Sequence, residues 1–170
     1  TGGAAHGPMI GDVSYSVHNG LTVTTTLDPA QQAFLYDHRI DGTPVLPGVM
    51  GMESFAEAAS LLAPAGYCVA GLEGVDFLAP VKFFRDQSRT LTITAQAEPA
   101  ASASDLLVRC RLTAECQPPR QAQPTVTNHF TGTGRPAAAE PEAPAPQERT
   151  KAAGPGKSGG KGKNLKCKRT

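Results

Sequence analysis

Only one segment of this chain has helical periodicity, and β-rich runs flank it on both sides. From Gly48 to Leu62 apolar residues fall at 49, 52, 55, 56, 59 and 62, one face of an amphipathic helix of about four turns. Pro64 and Gly66 stop it. Before it, "DVSYSVHNGLTVTTTLD" is two β-rich runs around Asn19-Gly20, a hairpin signal. After it come "YCVAGLEGVDFLAPVKF", "RTLTITAQAE", "DLLVRCRLTAEC" and "TVTNHFTGTG", each of strand length and rich in β-branched residues. One helix followed by four consecutive strands predicts an α+β fold in which an antiparallel sheet wraps the helix.

The composition changes near Gly134. Beyond it, "RPAAAEPEAPAPQERTKAAGPGKSGGKGKNLKCKRT" holds one leucine and no aromatic residue. Such a segment buries too little surface to offset its ordering entropy. We therefore expect one domain over residues 1–134 and a disordered Ala/Pro-rich linker with a basic tail over 135–170. Residues 149–170 carry eight Lys or Arg and no acid, so the rest of the chain has eight basic residues against fifteen acidic ones. "GPGKSGG" lacks the first glycine of a phosphate loop and has neither a strand before it nor a helix after it. The basic tail has no interleaved aromatics, and we expect no nucleic-acid partner. No run of eighteen apolar residues occurs, so no membrane span is expected. The N-terminus lacks the layout of a signal peptide. The absence of an initial Met suggests excision from a longer chain. Four cysteines show neither a CxxC pair nor zinc spacing, which points to reduced, mostly buried thiols, a cytoplasmic location and no metal.

The residues that suggest chemistry lie just before the helix, in "DHRIDGTPVLPGVMGMESFAEAA", Asp37 to Ala59. A helix that starts at Pro47-Gly48 has unpaired N–H groups and a partial positive charge on its first turn. Gly48 lets an oxygen approach those groups closely. Pro44 and Pro47 stiffen the loop that joins His38 to the helix. The set reads as a general base (His38), a donor for a carbonyl oxygen (the Gly48 N–H) and a candidate acid on the helix (Glu53). It suits removal of a proton next to a carbonyl with loss of a β-hydroxyl. Each residue also has a plainer role. His38 taken alone is an ordinary loop histidine, Glu53 caps or solvates a helix face, and Tyr36 either lines the pocket or packs. Asp37 and Asp41 read as loop hydrogen-bonders, and His6, His18 and His129 as structural or solvated. The face Val49, Met52, Phe55, Ala56, Ala59 is core first and substrate wall second.

His38-Gly42-Pro47 fits H-x-x-x-G-x-x-x-x-P, which resembles the signature of polyketide synthase dehydratase domains. "DGTPVLPGVMGMESFAEAA" is also similar to the helix segment of stand-alone bacterial fatty acid β-hydroxyacyl carrier-protein dehydratases. "GPMIG", "VDFLAPVKFF" and "TVTNHFTGTG" resemble further parts of the polyketide domain, so the resemblance spans about residues 8 to 134. It implies a single hotdog fold. It also implies loss of water from a β-hydroxyacyl thioester carried on the phosphopantetheine of an acyl carrier protein, with no other cofactor. His38 would take the α-proton and the Gly48 N–H would polarise the thioester. Gly42, Pro47 and Tyr36 would complete the substrate site.

The acid is where the resemblance divides. In the stand-alone enzymes the carboxylate sits on the helix, where Glu53 is, and serves the other subunit's histidine. Their histidine-to-glycine gap is two residues, whereas this chain has the three of the polyketide domains. In those domains an Asp on a second hotdog supplies the acid. The expected partner is therefore a second hotdog or a second copy of this chain. A non-catalytic acyl-binding or dimerisation module is the alternative, and a thioesterase on the same fold ranks last.

Overall fold

The computed structural model describes residues 7–99, 106–116 and 124–139. The chain runs through β1 (Asp12–Ser16), β2 (Gly20–Leu27), the short α1 (Ala33–Tyr36), β3 (Arg39–Ile40), β4 (Thr43–Pro44), α2 (Gly48–Leu62) and β5 (Tyr67–Phe77). A 3-10 turn at Phe84–Asp86 precedes β6 (Arg89–Pro99), β7 (Leu106–Cys116) and β8 (Thr125–Ala138). Six strands form one antiparallel sheet in the order β1-β2-β6-β7-β8-β5, while β3 and β4 form a small ladder of their own. Helix α2 lies against β2, β5, β6, β7 and β8, so the sheet wraps it. This is the expected α+β hotdog architecture.

Alternation along the strands aims one face at the helix. On β2, Leu21, Val23, Thr25 and Leu27 are buried while Thr22, Thr24 and Thr26 face outward. Leu91, Ile93 and Ala95 of β6 and Val108, Cys110, Leu112 and Ala114 of β7 continue the same core. Phe55 of α2 is fully buried among them.

The helix bounds match the sequence reading, but the buried face does not. Gly51, Ser54, Phe55, Ala58 and Ala59 point inward, whereas Val49 is 69% exposed and Met52 and Ala56 are half-buried. Hydrophobic spacing gave no weight to Gly51 and Ser54. A Cβ at Gly51 would overlap the Phe130 ring, so the sheet demands the smallest residue there. Ser54 satisfies its hydroxyl on the Gly51 carbonyl at 2.7 Å.

The strand expected to end at Gly134 continues to Ala138. Arg135, Pro136, Ala137 and Ala138 pair with Gly71, Val69, Cys68 and Tyr67 of β5. Beyond Gly134 the register with β7 stops, and β8 pairs on one side only, where a proline is tolerated. Main-chain pairing needs no apolar side chains, which is why composition misplaced this boundary. The domain thus includes at least Ala139, whose N–H donates to the Gly66 carbonyl at 2.8 Å. Residues 140–170 of the tail expected over 135–170, together with His6 and Cys167, lie outside the described residues. Cys110 is buried as expected, but Cys68 is exposed on the edge strand β5.

Candidate active site

The glycine- and proline-rich loop between His38 and the helix is a β-hairpin. Arg39 pairs with Pro44 and Ile40 with Thr43, leaving Asp41-Gly42 as a two-residue turn. Both turn residues have positive φ, 49° at Asp41 and 76° at Gly42, which is the type I′ pattern. The gap from His38 to Gly42 is therefore one short strand plus the first turn residue. Gly42 serves the turn, and its carbonyl accepts from Arg39 Nη1 at 3.0 Å. Asp41 is not the hydrogen-bonding loop residue it was read to be but the left-handed first residue of this turn. Asp-Gly was the legible signal for it, but two-residue strands with a proline in one of them fall below what periodicity detects.

The hairpin fixes His38 twice. The His38 carbonyl accepts from the Val45 N–H at 3.0 Å, and His38 Nδ1 lies 2.7 Å from the Val45 carbonyl oxygen. A carbonyl only accepts, so Nδ1 carries the proton, and in the neutral ring Nε2 is the nitrogen with the lone pair. His38 as a residue lies at the surface. This is the tautomer that a general base needs.

The second strand of the hairpin rests on the loop after β5. Leu46 N–H donates to Val81 O at 3.0 Å and Phe83 N–H to Pro44 O at 2.9 Å, while Val81 and Phe83 are fully buried. That loop is held in turn by His129, which sits at the register shift between β7 and β8. Its carbonyl accepts from Leu78 N–H at 2.8 Å and Ala79 N–H at 3.2 Å, and its Nδ1 donates to Ala79 O at 3.0 Å. Burial holds the His129 pKa below its ordinary value, and Nε2 is buried with no hydrogen-bond partner. His129 is thus a structural residue whose contacts reach the His38 hairpin through this loop.

Pro47 caps α2 and its carbonyl accepts from Met50 and Gly51. The Gly48 and Val49 N–H groups make no hydrogen bond among the described residues. A Cβ on Gly48 would come within 3.0 Å of Phe77 Cε1, so the helix start lies flush against that ring. Phe77 in turn meets Phe130 edge-on, with centroids 5.1 Å apart. Val49, Phe77 and Leu78 are exposed apolar residues at this end of the helix, and Tyr36 and Ile40 are exposed on the hairpin and the turn before it. Tyr36 is 64% exposed, with the Arg39 guanidinium 5.5 Å above its ring.

The two glutamates of the helix differ. Glu53 is exposed, about 7.5 Å along the axis from Gly48. No hydrogen bond joins it to His38. Glu57, one turn on, is the perturbed carboxyl. Burial pushes its pKa up to about 6; the Met9 N–H bonded to Oε2 at 3.1 Å opposes this, and the nearby Glu53 charge adds to it. Its Oε1 is buried without a partner, and Gly7 lies so close that a Cβ there would overlap the carboxyl. The covering segment is more than forty residues away in sequence, so local spacing could not single out Glu57. Among the described residues no cluster of His, Cys, Asp and Glu could hold a metal ion.

The profile of the polyketide synthase dehydratase domain matches residues 7–108, more than half of the chain. The chain belongs to the polyketide synthase dehydratase domain family. A search of the curated proteins finds no match. Solved dehydratase domains share the fold. One from a module of the curacin polyketide synthase is 15% identical with a TM-score of 0.62, covering 80% of this chain and 45% of that one. One from the terminal module of the rifamycin synthase is 19% identical with a TM-score of 0.58, covering 75% and 41%. A hexameric broad-specificity acyl-coenzyme A thioesterase, 11% identical with a TM-score of 0.50, covers 69% of this chain and 78% of its own. The chain therefore spans less than half the length of the dehydratase domains that it resembles. Within this hotdog dehydratase domain, His38, Pro47 and Gly48 are gathered at one end of the helix. No helix is long and apolar enough to cross a membrane.

Proposed function

We propose that this domain is the histidine-bearing half of a dehydratase acting on a β-hydroxyacyl thioester held on the phosphopantetheine arm of an acyl carrier protein. The observation that carries this reading is the Nδ1–Val45 bond, which makes Nε2 the lone-pair nitrogen of the neutral His38 ring, on a hairpin leading into an open helix N-terminus. Nε2 takes the proton α to the thioester carbonyl, and the Gly48 N–H donates to the carbonyl oxygen as charge gathers there. The electrons then form the α,β double bond, and the β-hydroxyl leaves as water with a proton from an acid. We assign that acid to a second hotdog. Two observations support this. Strand β5 is an eleven-residue edge with mostly exposed residues, a template for another strand. The curacin domain is more than twice as long as the part this chain matches.

The test is His38→Ala in the assembled synthase, assayed on a carrier-bound β-hydroxyacyl substrate. Turnover should fall by about 10²–10⁴ with the fold intact; unchanged turnover removes His38 from the reaction. Glu53→Gln separates the sources of the acid. Retained turnover supports the second hotdog, and loss in a homodimer of this chain moves the acid to Glu53 of the stand-alone type.

A further inference from the structure

Arg39 follows His38 directly, and its side chain turns back on the loop that carries the histidine. Nε donates to the Tyr36 carbonyl at 3.0 Å, and Nη1 donates to the Gly42 carbonyl at 3.0 Å and to Asp86 Oδ1 at 2.9 Å. Tyr36 precedes His38 by two residues and Gly42 follows it by four, so one guanidinium spans the histidine on both sides. The Tyr36 ring lies beneath it. The Arg39 side chain is 29% exposed, although the residue as a whole lies at the surface.

The two strands of the hairpin are supported differently. β4 and the residues after it are held by main-chain bonds to Val81 and Phe83. Among the described residues β3 has no such neighbour on its far side, and Arg39 to Asp86 ties it to the same loop. Asp86 and the preceding Arg85 both lie in the left-handed region, with φ of 53° and 57°. Non-glycine residues hold that conformation when surrounding contacts fix it, and such sites cluster around functional groups. An isolated surface ion pair contributes little, but this arginine also closes two main-chain carbonyls that no other donor reaches among the described residues.

We propose that Arg39, braced by Asp86, is a positioning residue that holds the His38 imidazole in its Nδ1-protonated pose toward the helix start. This rests on the dehydratase reading for its consequence in turnover, but not for its consequence in structure. Arg39 touches neither the reacting atoms nor the Gly48 amide. It acts through the angle of the short strand that carries the base.

The experiment compares the full chain with Arg39→Gln, Asp86→Asn, the double variant and Arg39→Lys. The His38 ring nitrogens are read by ¹⁵N NMR and the Val45 amide by hydrogen exchange. Arg39→Gln should stay folded, turn the single His38 tautomer into a mixture and speed Val45 exchange about tenfold or more. In the assembled synthase the same variant should lose roughly ten- to hundredfold in kcat with KM unchanged, the size expected of a misplaced base. Asp86→Asn should give a smaller change of the same kind, the double variant no more than Arg39→Gln, and Arg39→Lys a partial recovery. If Arg39→Gln unfolds, Asp86→Asn alone gives the decisive tautomer reading. A wild-type His38 tautomer and Val45 exchange rate in the folded variants overturn the proposal. So does a rise in KM alone, which would make Arg39 a substrate contact. Absence of turnover in the wild type would fell the dehydratase reading, while the NMR reading still decides the positioning role.

Discussion

Among the described residues, two tight hairpins have a positive-φ glycine at the turn, and they are built in opposite ways. The first joins β1 to β2 around Asn19-Gly20. It pairs five residues of β1, all exposed, and its turn residue Val17 is 91% exposed. The second joins β3 to β4 around Asp41-Gly42 and pairs only two residues a strand. Its short ladder is held by bonds from Val45, Leu46, Pro44 and Arg39 to other parts of the chain and to His38. The first is a sheet edge that makes its own structure. The second has almost no ladder of its own, and tertiary contacts set its geometry. The base of the proposed reaction needs a fixed pose more than a long ladder, and the braced hairpin is the one that carries His38.

The sharpest way to break the comparison is a methyl group on each turn glycine. Both residues have positive φ, 70° at Gly20 and 76° at Gly42, so either change to Ala costs about 1–2 kcal/mol in backbone strain. Gly20 has a second penalty, because a Cβ there would lie 2.5 Å from the Ala95 carbonyl oxygen of β6. At Gly42 a Cβ meets nothing within 4 Å. Gly20→Ala should therefore lower the denaturant midpoint more than Gly42→Ala. Gly42→Ala should show its larger effect at the Val45 amide and in turnover. Equal loss of global stability in both would contradict the distinction.

A smaller effect sharpens a second contrast, between the exposed Glu53 and the covered Glu57. The unfolded Glu57 loses its proton near 4.5 and the folded one near 6. Between these values the folded state binds more protons, so stability falls as pH rises from about 4.5 to 6 and levels off above. Glu57→Gln keeps an acceptor for the Met9 N–H and removes the charge. It should erase that slope and stabilise the chain at pH 7 by about 1 kcal/mol or less, since the carboxyl is only partly withdrawn from water. Urea titrations at pH 4.5 and pH 7 measure it. An unchanged slope would place the Glu57 carboxyl in open solvent.

The smallest effect is expected at the first hairpin. Val17→Ser alters an exposed turn residue and should change stability by no more than about 0.5 kcal/mol, with no change at the Val45 amide. A larger loss would mean that this turn, too, depends on tertiary support.

What the sequence alone determined is local. Pro47-Gly48 and Pro64–Gly66 bound a helix whose observed span is Gly48–Leu62, and strand-like length with β-branched content located the four strands after it. Asn19-Gly20 marked a hairpin that forms, and the order His38, Gly42, Pro47 pointed to the dehydratase family to which the chain belongs. Only the tertiary structure decided which helix face is buried, because Phe130 requires a glycine at position 51 and spacing does not weigh glycine. It also decided which glutamate is perturbed, because Met9 and Gly7 cover Glu57 from across the chain. The tautomer of His38 and the bracing of Arg39 by Asp86 are likewise tertiary. Periodicity and turn chemistry are carried by neighbours in sequence, so they can be read one residue after another. Desolvation, close approach and hydrogen-bond partnership depend on residues brought together by the fold, and the proposed site at the helix start is built from those.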